Sequence, residues 1–112
     1  MNRMDGKVCV ITGATQGLGA AIARRLAAAG AQGIVITGRD VGRGEGVALG
    51  IAKAHGVAAH FVKADLGLVE DCRRVVAETD RLFGRLDVLV NAGASTARGT
   101  ILDTTPEAFD AM

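Results

Sequence analysis

The strongest constraint in this sequence is a buried-type strand that runs without interruption into a glycine-rich turn. Val8-Cys9-Val10-Ile11-Thr12 is a continuous apolar and β-branched run, and Gly13, Gly17 and Gly19 follow at once. A strand without polar alternation has no face to show to water, so it belongs in a parallel sheet covered on both sides. Parallel strands need long crossovers, usually helices, which obliges the rest of the chain to alternate helix with strand.

The remaining sequence does alternate. Leu18, Ile22, Leu26 and Ala29 recur at helical spacing, and Gly30 follows as a C-cap. Ile34-Val35-Ile36-Thr37 reads as a second buried strand. Val41 to His55 reads as a helix with Val47, Leu49, Ile51 and Ala52 inside. Gly42, Gly44, Gly46 and Gly50 weaken it, each by roughly 1 kcal/mol relative to alanine. Ala59 to Ala64 makes a third strand around Phe61 and Val62. Leu68, Cys72, Val75, Val76, Thr79, Leu82 and Phe83 trace the inner stripe of a helix ended by Gly84, and Asp87 to Asn91 is a fourth strand. Thr105-Pro106-Glu107 starts another helix, an N-cap candidate followed by proline at the first helical position. Right-handed crossovers then give a parallel sheet with helices on both faces. No repeat, linker or low-complexity stretch intervenes, so residues 1–112 read as a single domain. The last helix begins near Pro106 and the sequence ends at Met112 without a C-cap, so the domain is expected to be incomplete.

Composition narrows the function classes. A formal charge of +1 makes no electrostatic case for nucleic acid or an anionic membrane. Aromatics amount to 3% of residues, which removes the stacking platforms used for single-stranded nucleic acid. Met1 to Lys7 lacks the pattern of a secretory signal, and the apolar stretch Leu26 to Thr37 is too short to span a bilayer. Cys9 and Cys72 are far from metal-ligand spacing, so two buried thiols are expected, and no metal. The expectation is a soluble cytoplasmic protein.

The glycine turn carries the chemistry. In Thr12-Gly13-Ala14-Thr15-Gln16-Gly17-Leu18-Gly19, Gly13 permits a tight turn off the strand. Gly17 lets backbone approach a pyrophosphate, and Gly19 lets the helix pack close to the sheet. The helix N-terminus then offers N–H groups and the positive end of its dipole to the phosphates. This T-G-x-x-x-G-x-G spacing resembles the short-chain dehydrogenase/reductase family. The resemblance extends through Asp65-Leu66, Gly84-Arg85-Leu86-Asp87-Val88-Leu89-Val90 and Asn91-Ala92-Gly93, and so covers the whole chain. It implies a Rossmann-type doubly wound parallel α/β sheet of strand order 3-2-1-4, here a truncated three-layer αβα sandwich.

The resemblance also assigns cofactor residues. Gly13, Thr15, Gln16, Gly17, Leu18 and Gly19 would line the diphosphate and adenosine ribose. Asp65 would accept from the adenine amino group, with the Leu66 backbone beside it. Asn91, Ala92 and Gly93 would pass under the nicotinamide ribose. All lie at carboxyl ends of strands, where open α/β sheets bind ligands. Asp65 also fits a plainer role as an acid favoured at a helix N-terminus. Relatives usually show one residue more than Val90-Asn91-Ala92-Gly93, so Asn91 serves either the ribose or the strand. At the end of the second strand, Gly38 stands where NAD-preferring relatives tend to carry aspartate, and Arg39 follows. Arg39 can grip a 2′-phosphate bidentately, which favours NADP over NAD. Asp40 is the counter-evidence, since one residue of slip would bring a carboxylate to the ribose; a solvated Arg39–Asp40 turn is the plain alternative.

The family's acid–base tyrosine, its lysine four residues on, its serine and its relay asparagine cannot be assigned. The sequence has no tyrosine; Ser95 precedes the strand that carries the family's serine, and Lys7, Lys53 and Lys63 do not match the pattern. The reading is therefore the NAD(P)-binding part of a short-chain dehydrogenase/reductase that moves hydride between nicotinamide and a carbonyl or alcohol. No catalytic residue is named, and a homo-oligomeric parent is expected. The alternatives are a non-catalytic dinucleotide-binding module and one half of a split enzyme. The substrate is not legible.

Overall fold

The computed structural model describes residues 4–13, 17–65 and 68–92. Its elements alternate as β1 (Val8–Thr12), α1 (Gly17–Ala28), β2 (Gly33–Gly38), α2 (Val41–His55), β3 (Ala58–Lys63), α3 (Val69–Phe83) and β4 (Val88–Asn91). The helix start at Thr105 lies outside the described residues. The strands form one parallel sheet in the order β3-β2-β1-β4, as the resemblance implied.

β1 holds the sheet together because it pairs on both sides. Its register runs from Val8 opposite Gly33 to Thr12 opposite Thr37, and on the other edge from Cys9 opposite Val88 to Thr12 opposite Asn91. All five of its residues are buried. Alternate side chains serve opposite layers. Cys9, Ile11, Ile34 and Ile36 pack with Ala23 and Ala27 of α1 and Ala48 and Ile51 of α2. Val10, Val35 and Val62 face Val75 of α3 on the other side.

Helix packing departs from the sequence expectation in an instructive way. Leu18 is 70% exposed, and α1 buries Gly19, Ala20, Ala23 and Ala27 instead, with Ile22 and Leu26 half-buried at the flanks. Small residues let the helix axis come close to the sheet. In α2 the inner line is Gly44, Ala48 and Ile51, and Leu49 is exposed. In α3 it is Cys72, Val75 and Thr79. Val76 lies about 100° round the helix from Val75 and points to solvent. Leu68 is exposed because it is the N-cap, in extended conformation, and not yet on the helix.

The glycines of α2 divide into two kinds. Gly44 lies against the ring of Phe61, which leaves no room for a Cβ, whereas Gly46 and Gly50 have open space. The helix still forms along its full expected length, because Asp40 caps it and its inner line is buried.

β4 is tied to the amino end of β1 by Asp87. The Asp87 amide donates to the Val8 carbonyl at 2.9 Å, and its Oδ2 accepts from the Val8 amide at 2.8 Å. Arg85 grips the same carboxylate through Nε at 2.8 Å and Nη2 at 2.7 Å. Arg85 first, and the Val8 amide second, hold the Asp87 carboxyl below the usual aspartate range.

Two outcomes follow from this packing. Gly46→Ala and Gly50→Ala should each raise unfolding stability by about 0.5–1 kcal/mol, the helix propensity gain. Gly44→Ala should lower it by about 1 kcal/mol net, because overpacking against Phe61 outweighs that gain; denaturant titration distinguishes the signs. The stability contributed by Asp87 is complete above the ordinary aspartate range and is lost as pH falls through its lower folded-state value. Asp87→Asn should therefore be less stable at pH 7 but lose less on acidification, so that its acid-unfolding curve converges on that of the parent. Parallel curves would contradict the assignment.

Candidate functional site at the carboxyl ends of the strands

Gly13, Arg39, Asp65 and Ala92 each follow closely on the carboxyl end of one of the four parallel strands. Gly13 ends β1 with φ +68°, and its amide donates to the Thr37 carbonyl of β2 at 2.8 Å. α1 starts at Gly17, whose φ is +61°. A side chain is strained at these angles. Among the described residues, apart from its chain neighbours and the backbone of its own helix, no atom lies within 4 Å of where a Gly17 Cβ would stand. Leu18 is exposed and Gly19 is buried. Thr15, Gln16, Leu66 and Gly93 lie outside the described residues.

The electrostatics of this turn suit an anion. The first turn of α1 contains no acidic residue, whereas the first turn of α3 carries Glu70 and Asp71. The first N–H groups of a helix have no intrahelical acceptor, and the dipole adds positive potential there.

At the end of β2, Arg39 is exposed and forms no ion pair among the described residues. Asp40 has a different task. Its Oδ1 accepts from the Arg43 amide at 3.0 Å as the α2 N-cap, and its Oδ2 lies 3.5 Å from Arg43 Nε. The sequence left Asp40 open between a ribose ligand and a solvated turn; both its oxygens face α2.

Asp65 stands half-buried just past β3. Its amide donates to Asp71 Oδ2 at 2.7 Å, and its carbonyl accepts from the Leu68 amide at 2.9 Å. Asp71, bonded to the backbone of this candidate residue, was not singled out from the sequence. Its only advance signal was an acid in a first helical turn, which says nothing about a partner six residues earlier.

At the end of β4, Asn91 is bonded to β1. The Thr12 hydroxyl donates to Asn91 Oδ1 at 2.9 Å and approaches the Val90 carbonyl at 3.3 Å. The Ala92 amide donates to the Thr12 carbonyl at 3.1 Å. Asn91 thus locks β4 to β1 at the level of the glycine turn. On the other side of Thr12, the buried Thr37 hydroxyl has no hydrogen-bond partner among the described residues.

The cysteines lie elsewhere and are chemically quiet. Both are buried, and burial, with Asp87 adding to it, pushes the Cys9 thiol up to about 11. Burial also raises Cys72. Among the described residues no group of His, Cys, Asp or Glu could hold a metal ion, and no helix is long and apolar enough to cross a membrane.

A parallel αβα sheet with a glycine-lined turn from β1 into α1 defines a Rossmann-type α/β domain. Comparison with known proteins makes the assignment specific: the short chain dehydrogenase family model matches residues 7–112, and the chain belongs to that family. It is 40% identical over 109 residues to versicolorin reductase 1 of Aspergillus parasiticus, which covers 97% of this chain and 41% of that protein. It is 39% identical over 94 residues to the 3-oxoacyl-[acyl-carrier-protein] reductase of Aquifex aeolicus, covering 84% of this chain and 38% of that one. Among solved structures it resembles L-sorbose reductase from Gluconobacter frateurii, complexed with NADPH and L-sorbose. The TM-score is 0.80 at 34% identity, over 99% of this chain and 42% of that chain. The chain therefore spans about two-fifths of the length of these relatives.

The Thr12–Asn91 bridge is testable. Thr12→Val keeps the buried shape but leaves the Asn91 oxygen without this donor, and should cost about 0.5–1.5 kcal/mol in urea unfolding. A stability change near zero would mean that the bridge contributes nothing to holding β4.

Proposed function

We propose that this chain binds NADPH across the carboxyl ends of its strands, as the cofactor-holding part of an oxidoreductase acting on a carbonyl or alcohol. The observation that carries the reading is the β1–α1 turn. Gly13 and Gly17 take left-handed conformations, no described residue packs against the Cβ position of Gly17, and the helix behind it begins without an acid. That is a cradle for a pyrophosphate. Gly13, Thr15, Gln16, Gly17, Leu18 and Gly19 would surround it. Asp65, with Leu66 beside it, would take the adenine amino group. Ala92 and Gly93 would run under the nicotinamide ribose, with Asn91 holding that loop to β1. Held there, the cofactor would supply hydride transfer to a carbonyl carbon or from an alcohol carbon.

The choice of NADPH over NADH rests on Arg39 and Asp40. Both Asp40 oxygens are engaged by α2, which argues against their accepting from ribose hydroxyls. Arg39 is exposed at the strand end and its guanidinium suits a 2′-phosphate. The solved L-sorbose reductase holds NADPH, and the relatives reported above are reductases, which supports the same direction. The acid–base tyrosine implied by the family resemblance is not among these 112 residues, which contain none.

Calorimetric titration with NADPH and NADH tests this. NADPH should bind on the order of ten- to a hundredfold more tightly, the worth of charge-assisted contacts to the extra phosphate. Arg39→Ala should bring NADPH down to the NADH level and leave NADH unchanged. Equal binding of the two cofactors, or tighter NADH, would overturn the NADPH assignment; binding of neither would overturn the dinucleotide reading.

A further inference from the structure

Asp71 and Arg74 form a two-armed clamp on the backbone that carries Asp65. Asp71 Oδ2 accepts from the Asp65 amide at 2.7 Å. Arg74 lies 3.5 Å from Asp71 Oδ1 through Nη2, and the same Nη2 donates to the Lys63 carbonyl. Between these arms the Ala64 amide donates to the Gly38 carbonyl at 2.9 Å, and beyond them the Leu68 amide donates to the Asp65 carbonyl at 2.9 Å. Each residue from Lys63 to Asp65 therefore has a backbone group held by a neighbouring element, and two of those bonds come from side chains of α3.

Asp71 sits in the first turn of α3, where the helix dipole favours an acid, and from there its Oδ2 reaches back to the Asp65 amide. Arg74 offsets the charge, and the Asp65 amide, followed by Arg74, keeps the Asp71 carboxyl below the usual aspartate range. The arrangement fixes a backbone whose side chain must meet a ligand at a defined distance, where a small displacement costs affinity.

We infer that Asp71, braced by Arg74, is a positioning residue that sets how strictly this chain reads the adenine 6-amino group through Asp65. The inference rests on the proposed role of Asp65 and adds to it a determinant outside the cofactor-lining residues. The clamp acts on the backbone that carries Asp65, through the Asp65 amide and the Lys63 carbonyl.

Competition between NADPH and its hypoxanthine analogue, which has a carbonyl where adenine has the amino group, tests this with a ratio. General loss of structure lowers both affinities and leaves the ratio alone. The parent protein should prefer NADPH by about tenfold, the size of one hydrogen bond to a charged acceptor. Asp65→Ala should bring the ratio to near one; if it does not, the adenine reading fails, and the clamp inference with it. Given that collapse, Asp71→Leu should also bring the ratio within about threefold of one. Asp71→Asn, which keeps an acceptor for the amide, should retain most of it. Glu70→Gln removes a charge from the same helical turn and should leave the ratio unchanged. Arg74→Met breaks the outer arm alone, should lower the ratio part of the way, and decides the matter if Asp71→Leu does not fold. A parental ratio in Asp71→Leu, or in Arg74→Met where that variant decides, overturns the inference while leaving the adenine reading standing.

Discussion

The structure depends on the complete burial of β1. A strand enclosed on both faces can satisfy its backbone only through neighbouring strands, since no water reaches it. β1 meets that requirement by pairing with β2 along its whole length and with β4 along most of it. Side chains secure the newer edge at both ends, Asp87 on the Val8 amide and Thr12 on Asn91. Everything assigned to the cofactor hangs from the carboxyl ends that this pairing aligns.

That alignment explains how few residues need to be special. Gly13 turns the chain toward β2, and α1 then presents its amino end to the space above β1. β2 delivers Arg39 beside that space and β3 delivers Asp65. The positions are set by a parallel register, and the local chemistry only has to avoid spoiling them. Asp40 and Asp71 do this in the same way: each spends a carboxylate on backbone near a strand end and balances it with an arginine on the following helix. One caps a helix; the other reaches back to the residue before the loop.

The fold was largely legible because buried strands and helices differ in period. The alternation from Val8 to Asn91 identified every described strand and helix, and the bounds Val41 and His55 of α2 are those expected. What the pattern could not show was which apolar residues face inward. Leu18, Leu49, Leu68 and Val76 sit at helical spacing with true core residues, yet all four are exposed. In α1 the contact with the sheet is made by glycine and alanine, which carry little hydrophobic signal. At the candidate site, the glycine turn stood out by its spacing and its strand-to-helix context, and Asp65 was singled out through the family resemblance. Asp40 stayed ambiguous, because an aspartate before a helix fits both a cap and a ribose ligand. Asp71 was invisible, because a side chain bonding backbone across a loop leaves no periodic trace.

The central claim is that the carboxyl end of this sheet is the dinucleotide site, and amide chemical-shift mapping during NADPH titration tests it most directly. The account predicts saturable shifts at Gly13, Gly17, Gly19, Arg39, Asp65 and Ala92. It predicts little change at Val8, Gly33, Ala58 and Val88, which begin the four strands at the opposite end. Shifts confined to the amino ends, or none on saturation with NADPH, would contradict it.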